Sequence, residues 1–326
     1  MSLNEDADLD TSQVEDLRGR RGRGGTFGFP LPTGRGGGGL RIPGLGGKGG
    51  MGLIGLVVFC LLGLLFGGGA TGLLPSIDEI GGLGDAPTDE DTALGETCAR
   101  DNPDRFDDPA CRNLLYINSI QAYWQTALPE RFGVPYQATT TRYFSEAVST
   151  ACGNATSGAG PFYCPGDHHV YLDLTFYSEL ARRFGASGEF AQAYVLAHEY
   201  GHHVQTLLGI ESQMRRAQQR DPGNANEYSV MLELQADCLA GVWANGAEGT
   251  TDERGQPLFA AITERDIAEA LAAAAAVGDD AIQQRTTGQV NPEAFTHGTS
   301  AQRQRWFQTG YTTGDPGQCD TFGNAL

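Results

Sequence analysis

Five residues in this chain have the types and spacing to do chemistry together: His198, Glu199, His202, Glu233 and Asp237. The first three form H-E-x-x-H within Ala197-His198-Glu199-Tyr200-Gly201-His202-His203. Residues four apart share one face of a helix, so His198 and His202 can turn imidazole nitrogens toward a single divalent ion. Glu199 is rotated one step away, where its carboxylate can take a proton from a water on that ion. Glu233 and Asp237 are again four apart. Zinc with two histidines needs a third protein ligand and keeps a further position for water. A ligating histidine in turn gives its other N–H to a carboxylate that orients the ring. Glu233 as third ligand and Asp237 as orienting partner meet both needs. The pattern implies one zinc ion and hydrolysis by a metal-activated water, with Glu199 as general base.

Other residues compete for these roles. The longer H-E-x-x-H-x-x-G-x-x-H arrangement needs Gly and His where the chain has Gln205 and Leu208, so it is excluded. His203 is turned about 100° from the metal face of an ideal helix. His168 and His169 are neighbours and point opposite ways on a strand, so they read as loop or strand-end residues. His297 remains a competitor as ligand. It is also the candidate donor to the oxyanion that peptide hydrolysis builds, with Arg303 and Tyr200 behind it. The plainer reading of His297 is a structural side chain beside a capped helix.

The elements that must position these groups follow from periodicity. Residues 190–208 are apolar nearly all round and read as a buried helix, capped by Ser187 and stopped at Gly209. A second helix over 226–243 carries Glu233 and Asp237 in apolar surroundings, with a polar, mobile stretch at 213–224 between the two. Residues 112–128 form a core helix, 176–184 a short one, and 263–282 a scaffold helix of high propensity. Residues 137–144 have strand character. Residues 169–174 alternate as a strand whose free edge could receive an extended substrate. Residues 297–307 read as a loop entering a helix, with Thr299 or Ser300 as N-cap.

Composition sets the frame. The chain has 326 residues and a formal net charge of −18, which argues against a nucleic-acid surface. Residues 1–48 are dense in Gly, Arg and Pro and read as a disordered cytoplasmic tail. Residues 49–75 are uncharged, apolar and long enough to serve as a membrane anchor through one N-terminal helix. Basic residues precede them and acidic ones follow, which places the N-terminus in the cytoplasm and the remainder outside, a single-pass arrangement. Residues 76–97 read as a flexible linker, and 98–326 as one extracytoplasmic domain. Cys98, Cys111, Cys152, Cys164, Cys238 and Cys319 all lie beyond the anchor, which suggests three disulfides. Sequence order favours Cys98–Cys111, Cys152–Cys164 and Cys238–Cys319, with other pairings open.

With both helices read, the chain resembles the bacterial family called "putative neutral zinc metallopeptidases". The resemblance runs from Val14-Glu15-Asp16-Leu17-Arg18-Gly19 to the C-terminal helix. Its most specific pieces are Gly160-Pro161-Phe162-Tyr163-Cys164-Pro165, His198-Glu199-Tyr200-Gly201-His202-His203-Val204-Gln205, Glu233-Leu234-Gln235-Ala236-Asp237-Cys238 and His297-Gly298-Thr299-Ser300. The match implies a membrane-anchored, zincin-like protein whose zinc is held by His198, His202 and Glu233, with Glu199 as base and a peptide or protein as substrate. The expected fold is α+β, mostly helical, with a small sheet beside the active-site helix. The rival to a metallopeptidase is a non-catalytic zinc-binding module tethered to the membrane for binding or assembly. A third reading is a cell-envelope protein in which the metal only stabilises the fold.

Overall fold

Asp108 and Pro109 start a helix that anchors much of the core. Asp108 accepts the Ala110 N–H at the N-cap, and Pro109 occupies a first-turn position where no N–H is needed. This helix, α2 (Pro109–Phe132), ends at Gly133, whose φ of 67° is the left-handed conformation glycine adopts freely. Leu114, Leu115, Ile117, Ile120, Trp124 and Leu128 are fully buried along it. The computed structural model describes residues 1–19 and 89–323.

The α+β class expected from sequence is what the structure has. A four-stranded sheet runs in the order β2 (Val14–Asp16), β3 (Thr141–Tyr143), β7 (His169–Leu172) and β6 (Phe162–Cys164). The first three strands are parallel, in the register Val14, Thr141, Val170, and β6 is antiparallel to β7. Strand β7 is therefore paired on both sides, and the free edge expected of it belongs to β6 instead. Burial of Val170, Tyr171 and Leu172 alike fits a strand covered on both faces. Strands β4 (Ala147–Thr150) and β5 (Gly153–Thr156) make a separate hairpin.

The amino-terminal residues correct the expectation of a disordered tail. Strand β1 (Ser2–Leu3) pairs antiparallel with β8 (Phe259–Ala261), and β2 forms one end of the main sheet. Ala7 and Val14 are buried. Arg105, 2% exposed, donates to the carbonyls of Glu5 (3.0 Å) and Ala7 (2.7 Å). The sparse apolar residues of this segment find partners more than a hundred positions away, which local composition does not reveal. Residues 20–48, the expected anchor at 49–75 and most of the linker lie outside the described residues. Among the described residues no helix is long and apolar enough to cross a membrane. The end of the linker is ordered, forming α1 (Asp89–Thr97) with Leu94 and the following Cys98 buried.

Seven more helices follow: α3 (Phe176–Phe184), α4 (Glu189–Leu207), α5 (Ile210–Arg220), α6 (Ala225–Gly246), α7 (Glu264–Ala276), α8 (Asp279–Thr287) and α9 (Ser300–Thr313). Three details depart from expectation. The N-cap of α4 is Gly188 rather than Ser187. The stretch expected to be mobile is α5, held by Met214 packing with Leu232 and Phe322. The scaffold helix breaks into α7 and α8 at Gly278, where a Cβ would run into the Ser300 backbone. Thr299 is the N-cap of helix α9 and forms a capping box with Gln302.

Helices α6 and α9 cross backbone to backbone. A Cβ on Gly241 would strike the Phe307 carbonyl, and one on Gly310 would strike the Cys238 carbonyl, so only glycine permits the approach. Disulfides join Cys98–Cys111, Cys152–Cys164 and Cys238–Cys319, the last tying α6 to the segment after α9. Replacing Arg105 with Met would strand buried carbonyls and should cost about 2–4 kcal/mol. Thermal melts would read the loss, and limited proteolysis should cut residues 1–8 first.

Candidate metal centre

Phe190, Tyr194, Leu196 and Val204 are at most 1% exposed, so α4 runs through the interior and its polar residues must find partners there. His198 Nε2 lies 3.1 Å from Glu233 Oε2, and His202 Nε2 lies 3.5 Å from Glu233 Oε1. The two rings stand edge to face with centroids 4.8 Å apart. One donor atom from each of the three residues falls within 4.8 Å of the others. A tetrahedral zinc with arms of about 2.0–2.1 Å separates neighbouring ligand atoms by roughly 3.3–3.4 Å, and the two imidazole-to-carboxylate distances, each to its own oxygen of Glu233, lie on either side of that spacing.

The hydrogen bonds agree. His198 Nδ1 is 2.9 Å from Asp237 Oδ1, so a neutral ring keeps its proton there and presents a lone pair at Nε2. That lone pair faces a carboxylate oxygen 3.1 Å away, and two buried acceptors at that distance call for a cation between them. Without one the ring must hold a second proton. Burial pushes the His198 pKa down, but Asp237 and Glu233 carry it up to about 10. Burial likewise pushes Glu233 up, and His202 and His198 outweigh it, holding the carboxyl well below its ordinary range.

His202 repeats the arrangement with an amide. Its Nδ1 is 2.8 Å from Gln205 Oε1, while Gln205 Nε2 donates to Leu232 O at 2.7 Å and to Gln235 Oε1 at 3.1 Å. That network assigns the amide oxygen to the ring and the ring proton to Nδ1.

Asp237 has no exposed surface and accepts from three partners besides solvent-free packing. His198 is one. Tyr194 donates its hydroxyl at 2.5 Å, and Arg303 grips both oxygens, Nε to Oδ2 at 2.7 Å and Nη2 to Oδ1 at 2.9 Å. Burial pushes Asp237 up, yet Arg303 and His198 hold it down at about 2.

Glu199, 9% exposed, accepts the backbone N–H of Tyr163 on β6 at 2.8 Å. Burial raises its pKa against the pull of His198 and His202. The groups His198, Glu199, His202, Glu233, His297 and Arg303 all line one cleft of about 910 Å³, walled on one side by Phe162 and Tyr163 of β6.

The remaining candidates lie outside the donor cluster. His297 lines the cleft with Nδ1 3.2 Å from Asp279 Oδ1. The second oxygen of Asp279 accepts the backbone N–H groups of Thr296 (2.7 Å), His297 (2.7 Å) and Gly298 (3.0 Å). Tyr200 is no oxyanion donor: it is fully buried and its hydroxyl is 2.9 Å from Thr141 Oγ1, beneath the sheet. Arg303 is engaged by Asp237. His203 lies between Tyr163 Oη (3.1 Å) and Gln137 O (2.6 Å), away from the donors. His168 and His169 lie in the β6–β7 turn and on β7, outside the cleft. Sequence reasoning missed Tyr194, Gln205, the Tyr163 N–H and Asp279. Tyr194 and Gln205 were within reach, since they lie four before His198 and three after His202 on the same helix. The Tyr163 and Asp279 contacts carry no local signal.

Fold and site together define an α+β protein in which H-E-x-x-H on one helix and a glutamate on a second bring three donor groups together that could hold one metal ion. The chain belongs to the family described as "Putative neutral zinc metallopeptidase", which it matches over residues 9–322. It is 38% identical over 318 residues to the uncharacterized protein YpfJ of Escherichia coli K12, covering 97% of this chain and 98% of that one. It is 52% identical over 217 residues to uncharacterized proteins of Mycobacterium bovis and Mycobacterium tuberculosis, covering 66% of this chain and 71% of each relative. No solved structure matches it.

Two outcomes are expected from this geometry. Glu233→Ala should lower the zinc retained by the purified chain well below one ion per molecule, read by elemental analysis; full retention would reassign the third ligand. Asp279 has a depressed pKa: burial opposes, but His297 and the backbone N–H groups prevail. Its contribution is therefore complete above the ordinary aspartate value of about 3.9 and lost as pH falls through the lower folded value. Asp279→Asn should cost about 1–2 kcal/mol at neutral pH and flatten that part of the acid melting curve.

Proposed function

We propose that the protein is a zinc-dependent peptidase that hydrolyses peptide bonds in the cleft over α4, with Glu199 as general base. The observation that carries this reading is a buried carboxylate beside three converging metal donors, all facing a cleft with room for a peptide segment. Zinc, when bound, supplies a Lewis acid and lowers the pKa of water beside it. Membership of the zinc peptidase family supports the same class of reaction.

The chain's own residues supply the rest. The Tyr163 N–H holds Oε2 of Glu199, leaving the other oxygen to take a proton from the attacking water and pass it to the leaving amine. The raised pKa of Glu199 suits a group that must both accept and return that proton. Strand β6 ends the sheet beside the cleft, so an extended peptide can lie along it, with the Tyr163 N–H on that edge kept by Glu199. His297 lines the cleft with Nδ1 against Asp279 and is the candidate partner of the oxyanion; donation from Nε2 would call for a ring carrying both protons. An open cleft favours the enzyme over a module that only binds zinc.

Three disulfides support a domain folded in an oxidising compartment outside the cytoplasm, and the uncharged stretch at 49–75 supports attachment to a membrane. The central test is Glu199→Gln. Zinc content should stay at the unaltered level while turnover of an unfolded protein substrate falls by ~100-fold or more. Undiminished turnover would remove Glu199 as the base.

A further inference from the structure

We propose that Arg303 is the positioning residue of the metal centre: by gripping Asp237 with two prongs it fixes the ring of His198, and zinc affinity depends on it although it offers the metal no donor atom. The proposal rests on the zinc site described above and extends it outward by one residue.

The geometry is specific. Nε and Nη2 of Arg303 meet the two different oxygens of Asp237 at 2.7 and 2.9 Å, the side-on fork that a guanidinium makes and an ammonium cannot. Nη2 also lies 3.3 Å from Tyr194 Oη, and Tyr194 donates to the same Asp237 oxygen that receives His198 Nδ1. The one oxygen that sets the direction of the His198 ring is thus held by two groups besides the ring itself. Nη1 is 3.4 Å from the Val277 carbonyl, which ties the far side of the guanidinium to the chain between α7 and α8.

The fold delivers Arg303 there deliberately enough to be informative. Arg303 stands in the first turns of α9, where a cation opposes the helix dipole, so the helix itself gives no reason for a positive side chain at that position. The reason lies across the glycine crossing. Arg303 and Gly310 share one face of α9, and Asp237 and Gly241 share one face of α6. Close approach at Gly241 and Gly310 therefore brings the guanidinium onto the carboxylate with both groups buried.

A role limited to neutralising Asp237 would be met equally well by lysine. Arg303→Lys separates the two cases, since it keeps the charge and loses the fork. In the full-length chain, competition with a chelator should show the zinc Kd of Arg303→Lys raised about 10- to 100-fold, the usual cost of disturbing a ligand's orienting partner. The zinc-free protein should melt near the unaltered value, and kcat should fall while KM holds. A zinc Kd within about two-fold of the unaltered chain, in folded protein, would overturn the proposal.

A second comparison covers a lysine variant that does not fold. Asp237→Asn should weaken zinc binding, and adding Arg303→Met, which also removes the guanidinium left buried without its carboxylate, should lower the affinity no further, because Arg303 acts through Asp237. A further loss of affinity in the double variant would overturn the proposal. An unaltered chain that binds zinc without cleaving protein would remove the hydrolytic reading and leave this one standing. An unaltered chain that binds no zinc would remove both.

Discussion

A carboxylate sealed from water cannot hold its charge unaided, and the centre of this protein is arranged around one such group, Asp237. Its neighbours are a guanidinium, a phenol and an imidazole drawn from two further helices, α4 and α9. Each contact satisfies the charge, and one of them aims His198 at Glu233. The arrangement makes the metal donors a by-product of packing a buried anion well. It also explains how α4 can carry His198 through the interior of the fold without leaving its inner nitrogen unmatched.

Backbone contact, rather than side-chain interdigitation, sets the spacing of the outer helices. Gly241 and Gly310 let α6 and α9 touch, and the Cys238–Cys319 disulfide closes a separation of 81 residues across the same region. In a chain-entropy account a closure of that length contributes about 4–5 kcal/mol. The site is therefore held on its outer side by covalent and steric constraints that tolerate little drift, while its inner side faces the cleft. Rigidity behind the donors and openness before them is the division a hydrolytic centre needs.

The ligand helices are legible in the sequence because their information is local. Spacings of four place His198 with His202 and Glu233 with Asp237 whatever the rest of the chain does, and the structure brings three of those groups to one point. The strands are less legible. Three of the four in the main sheet are parallel neighbours drawn from positions 14, 141 and 170, and nothing in a window of a dozen residues reports such pairing. The free edge passed from β7 to β6 for the same reason, since order within a sheet is a long-range property. Gly278 looked like an ordinary helix residue next to an alanine run, yet its real constraint is the Ser300 backbone. Tyr200, next to Glu199 in sequence, points on a helix toward the sheet and bonds Thr141, so adjacency misled where periodicity did not.

The place of β1 and β2 bears on how the chain reaches its final location. Opening and closing stretches interleave here: β1 is zipped to β8, and β2 completes a sheet whose other members follow residue 140. A polypeptide threaded through a bilayer once, between residue 19 and residue 89, would leave those two strands stranded on the opposite face from their partners. Assembly of this body thus requires that its head and its bulk share one compartment.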